Sequence, residues 1–169
     1  MSIRDKEIAR LEKYAESLGL RVFWRKHKRG LPGAVWEIEN NEVRLIMYTW
    51  PRMSKTLIIL NFLHELSHHL AWVYNNRELP KSVDKAFAKE MISLTSNDKR
   101  IIYETEKEDS KYRLIIAHEL DIRIPEWKIK LDIEVDIWFY YTFYKEGKYP
   151  TLTRVLAKQK ELRSNYVAV

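Results

Sequence analysis

Residues 57–71 read LIILNFLHELSHHLA, and this stretch constrains the chain more than any other. Its Leu, Ile and Phe residues point in nearly every direction around an α-helix, so the helix must be buried on most sides. The polar exceptions are Asn61, His64, Glu65, Ser67, His68 and His69. At ~100° per residue, His64 and His68 lie only ~40° apart, one turn above the other. Asn61 falls near the same stripe and Glu65 on the adjoining face. His69 is ~140° from His64, too far round to share a site with it, and reads as a bystander. Histidines and a carboxylate on an apolar helix are costly unless something compensates them, and a metal ion compensates all three. His64-Glu65-x-x-His68 is the spacing of two zinc ligands and a general base. Zinc acidifies water. Glu65 beside that water can take its proton as it attacks a carbonyl, then pass the proton to the leaving amine.

A catalytic zinc needs a third protein ligand. No histidine lies between His69 and His118, and the chain has no cysteine. The acidic segment YETEKEDSKYRLIIAHEL, 103–120, is the place to look. With Glu108 at zero on the helical wheel, Ile101 falls at ~20°, Ile115 at ~−20° and Tyr112 at ~40°. Glu108 is then expected on the apolar face as the third ligand. Glu104 at ~−40°, Glu106 at ~160° and Asp109 at ~100° remain alternatives.

The rest of the sequence predicts a single α+β domain. An amphipathic helix is expected over 3–18, stopped by Gly19. Strands rich in β-branched and aromatic residues follow at 20–24, 34–40 and 42–50, read as a small three-stranded antiparallel sheet. RGLPG and Asn40-Asn41 supply the turns. Ser54 is the expected N-cap of a helix over 55–74. Further helices are expected over 81–94, 98–120 (capped by Ser96 or Asn97), 126–146 and 151–165. The core is expected over about 20–122, with a C-terminal helical extension over about 126–165. Apolar residues make up 46% and charged residues 32% of the 169, which reads as globular rather than disordered. No apolar run reaches the ~18 residues of a membrane span. The absence of cysteine excludes disulfides and points to the cytoplasm.

The helix carrying HELSHH, preceded by a small sheet and followed by EDSKYR (Glu108–Arg113), resembles the ImmA/IrrE-type zinc metallopeptidases and related small phage-borne proteins. The resemblance covers roughly residues 34–122. In that family the third ligand is a glutamate opening a pattern like EANxFA, which EDSKYR matches with Tyr112 in place of Phe. The resemblance thus implies a minimal zincin-like fold and a zinc ion on His64, His68 and Glu108. It also implies a gluzincin-like hydrolase that cleaves a specific regulatory protein.

Two other functions fit the sequence. Five basic side chains in a row, Arg25–Arg29, and a second basic set (Lys145, Lys148, Arg154, Lys158, Lys160, Arg163) accompany a net charge of +6. They suit weak contact with nucleic acid or an acidic protein, as in a SprT-like protease acting on DNA-bound proteins. The other possibility is a non-catalytic metal-binding interaction protein. Trp138–Tyr144 is dense in aromatic residues and reads as core packing, with a protein-binding surface as the alternative.

Overall fold

Ser2 starts the chain's first helix as half of a capping box. Its hydroxyl accepts from the Asp5 N–H, and the Asp5 carboxylate accepts from the Ser2 N–H, which satisfies two end groups at once. The computed structural model describes residues 2–26, 33–39, 42–87, 89 and 93–167. Its elements are α1 (Ile3–Ser17), β1 (Arg21–Lys26), β2 (Ala34–Glu39), β3 (Glu42–Thr49), α2 (Lys55–Tyr74), α3 (Lys81–Phe87), α4 (Ser96–Asp109), α5 (Lys111–Glu119), α6 (Glu126–Glu146) and α7 (Leu152–Val167). The chain is α+β, as the sequence indicates.

The chain divides into two compact units, Met1–Asn76 with Tyr112–Ile124 and Arg77–Lys111 with Pro125–Val169. Residues 77–111 group with the C-terminal helices rather than with the core that surrounds them in sequence.

In the first unit the three-stranded sheet is mixed, not antiparallel throughout. Its order is β1-β3-β2, with β1 parallel and β2 antiparallel to the central β3. Residues 27–33 separate β1 from β2, a chain that can reach roughly 23 Å. The far edge of β3 is only about 10 Å away, so β2 need not pair with β1. The expected Asn40-Asn41 turn and His27–Arg29 of the basic run lie outside the described residues. Leu45, Ile46 and Met47 of β3 are buried, as a central strand requires. Ser54 caps α2 by accepting from the Leu57 N–H, and the helix spans the residues expected of it. Ile59, Phe62, Leu63, Leu66 and Leu70 of α2 are buried. A Cβ on Gly33, just before β2, would lie 1.8 Å from the Asn61 Nδ2 atom, so a larger residue there requires the Asn61 side chain of α2 to move.

In the second unit Ala86, Ile102 and Phe143 form a buried cluster, with Leu94, Ile101 and Tyr140 packed around it. The N-cap of α4 is Thr95 rather than Ser96 or Asn97. Its hydroxyl and N–H both bond to the Asp98 carboxylate, which also takes a bond from Lys89. These donors hold Asp98 down to a pKa of about 2, the Lys89 bond being the largest cause. The helix expected over 98–120 is two helices. α4 ends at Ser110, whose hydroxyl donates to the Lys107 carbonyl at 2.8 Å and whose N–H still bonds to the Glu106 carbonyl. Gly147 ends α6 with φ +75°, where a side chain would be strained.

Candidate metal centre

The HELSHH segment of α2 carries two i, i+4 pairs with separate roles. The first is His64 and His68. Their Nε2 atoms lie 3.2 Å apart, with ring centroids 4.9 Å apart at 71°. Both rings are half-buried. Ser67 between them is fully buried and donates its hydroxyl to the His64 carbonyl at 2.6 Å. Tetrahedral zinc with bonds of about 2.0–2.1 Å to two imidazoles places the nitrogens about 3.3 Å apart. The donor chemistry and the spacing therefore fit a metal on this pair.

The second pair is Glu65 and His69, and both hold Trp36 of β2. Glu65 Oε2 accepts from the Trp36 backbone N–H at 2.9 Å. The Tyr48 N–H bonds to the Gly33 carbonyl, and the register steps from there through Val35 and Glu37. Alternation in an antiparallel ladder then turns the Trp36 N–H away from β3, onto the open edge. Glu65 caps a donor that the sheet leaves unpaired. His69 Nδ1 accepts from the Trp36 indole N–H at 3.3 Å, and its Nε2 reaches the Leu18 carbonyl at 3.3 Å. Trp72 stands beside both, 5.4 Å from the His69 ring and 6.2 Å from the Trp36 ring. His69 is fully buried. It is a structural tie, not a bystander. The wheel angle from His64 was no guide to it, because its partners are on the sheet and at the end of α1.

Among the described residues the largest fully buried side chain is Arg113 of α5. Its guanidinium bonds to His64 Nδ1. Guanidinium nitrogens are donors only, so this contact makes Nδ1 an acceptor and leaves the proton of the neutral ring on Nε2. His64 then donates to His68 Nε2, and the polar groups form a directed chain from Arg113 to His64 to His68. A metal on His64 Nε2 requires that proton to move and Arg113 to withdraw from Nδ1. Arg113 was not among the residues singled out in the sequence. The only signal was an arginine within the EDSKYR motif. Tyr112, beside it, lies against Tyr74 with rings 5.6 Å apart.

Among the acidic candidates the expectation for Glu108 is corrected. Its side chain is 72% exposed and bonds to Lys111 at 2.9 Å. That lysine holds the carboxyl below its ordinary range. Glu104 is also exposed, paired with Arg100. Asp109 is half-buried. The buried carboxylate is Glu106, at 4% exposure, on a stripe of four-residue steps with Asp98, Ile102 and Ser110, all buried. The wheel that favoured Glu108 ran through the break at Ser110. One of its apolar markers, Ile115, lies beyond that break and is itself 49% exposed.

His118 is exposed. No helix of the described residues is long and apolar enough to cross a membrane. No protein-family model, curated protein or solved structure matches the chain.

Proposed function

We propose that the protein binds a zinc ion through His64 and His68 and hydrolyses a peptide bond in a specific protein substrate. The observation that carries this reading is the 3.2 Å spacing of the two Nε2 atoms, close to that of two imidazoles on one zinc. Two imidazoles completed by a third protein ligand are the donor set of many hydrolytic zinc sites. Zinc in such a site supplies Lewis acidity toward water and a carbonyl. Glu65 has one oxygen fixed by the Trp36 N–H. A carboxylate's second oxygen remains to accept a proton and return it, and the anchored one holds the group in place for that work. The test is zinc analysis of purified protein, with turnover of a peptide library by wild type and Glu65→Gln. The expected result is stoichiometric zinc in both and hydrolysis in wild type alone. Protein that stays zinc-free after incubation with the ion overturns the reading.

A second reading rests on a different observation, the bond from Arg113 to His64. In it the guanidinium takes the place of a cation, and the polar chain through His64 and His68 is a structural element without catalysis. Zinc binding by wild type separates the two.

A further inference from the structure

Three tyrosines of the second unit form one surface cluster. Tyr103 of α4 and Tyr144 of α6 stack with centroids 6.1 Å apart and planes within 10°. Tyr141 meets Tyr103 edge-on at 5.5 Å and Tyr144 at 6.4 Å. Tyr141 is 43% exposed, and the other two are half-buried. The Lys145 ammonium stands 4.7 Å from the Tyr144 ring centre and 5.6 Å from that of Tyr141. Lys99 and Lys107 flank Tyr103 by one turn each along α4, and Lys148 follows Lys145 past the end of α6.

The charges around the rings do not cancel. Glu104, Glu108 and Glu146 are each engaged by their own partners, Arg100, Lys111 and Arg154. Lys99, Lys107, Lys145 and Lys148 form no ion pair among the described residues. The result is an aromatic patch with a cationic rim.

We propose that this patch docks single-stranded nucleic acid, with bases against the tyrosines and phosphates on the lysines. Single strands offer π-faces and phosphates together, and aromatic stacking with a basic groove is how such strands are held without sequence preference. A duplex keeps its base faces stacked away, and an acidic peptide has none to offer. The proposal does not depend on the metal site.

The experiment is fluorescence anisotropy of the full chain with labelled oligo(dT), against a mixed-sequence duplex of equal length, over a range of salt. Tighter binding of oligo(dT) is expected, with log K falling against log salt at a slope of about −2 to −3 for three to four phosphate contacts. Tyr141→Ala should weaken oligo(dT) binding about 5- to 150-fold, and Lys145→Glu with Lys148→Glu should flatten the salt slope. Both variants are checked for an unchanged thermal midpoint. His64→Ala should bind as wild type does. The proposal is overturned by equal affinity for the duplex, by an acidic peptide displacing oligo(dT) as well as unlabelled strand does, or by loss of binding in Arg25→Glu/Lys26→Glu with none in Tyr141→Ala. Absence of any binding at low salt overturns it as well.

Discussion

The Trp36 indole donates to His69 Nδ1 across 3.3 Å, and this bond ties the histidine helix to the open edge of the sheet. His69 is fully buried, and its other nitrogen reaches Leu18. His69→Ala leaves the indole N–H and the Leu18 carbonyl without their partner and opens a cavity. A cost of about 3 kcal/mol is expected, read from urea unfolding. Lys13→Ala, on the exposed side of α1, should stay within about 0.5 kcal/mol of wild type. Equal effects of the two would remove His69 from its structural role.

Glu106 and Glu108 are two residues apart on α4 and face opposite ways, one buried and one solvated. Under the zinc reading, His68→Ala should strip most of the metal, while Glu108→Gln retains it. Zinc per chain, measured by mass spectrometry after dialysis, checks this. If Glu108→Gln loses as much zinc as His68→Ala, the exposed carboxylate is a ligand after all.

Arg113 competes with a metal for His64, because its bond to Nδ1 keeps a proton on Nε2. Arg113→Met frees Nδ1 to carry that proton and removes a buried cation. Zinc affinity should then rise about tenfold, the scale on which groups behind a ligand act, in competition with a chromogenic chelator. Unchanged or weaker binding would show that Arg113 does not oppose the ion.

Asp98 sets an acid limit on the second unit. Its carboxyl falls from an ordinary 3.8 to about 2 because Lys89 and Thr95 favour the ionised form. A carboxyl depressed on folding stabilises the fold above its unfolded pKa, and the contribution is lost as pH falls through the folded value. Wild type should therefore lose stability between about pH 4 and pH 2. Asp98→Asn should be less stable at pH 7 and flatter across that window, measured as thermal midpoint against pH. A parallel decline of both proteins would mean that other groups govern the acid limb.

The parts of this architecture that sequence reveals are those written locally. α2 is legible because Pro51 and Ser54 punctuate its start and its apolar residues recur on nearly every side. The His64–His68 pair is legible because helical spacing alone brings the two rings together. The break at Ser110 carries no proline or glycine, and Ser110 itself keeps helical dihedrals and its N–H bond to the Glu106 carbonyl. A wheel drawn through it therefore lost its phase and chose Glu108. The strand order failed for a related reason. Residues 27–33 have turn composition, and composition does not say whether a chain returns beside its own strand or beyond the next one. The roles of His69 and Arg113 depend on partners at Trp36, Leu18 and His64. Those contacts exist only once the sheet and α5 are in place.

The first unit is assembled from two separated pieces of chain, and this bears on how it is born. A ribosome that has released residues 1–76 has delivered the sheet and α2 but not α5, whose Arg113 meets His64 across 49 residues. At about 5–20 residues per second, some 2–7 s pass before that arginine is released in turn. During that interval the histidine helix has its strands but lacks its buried cation. A nascent chain stalled there should be the form most open to chaperones and to free metal.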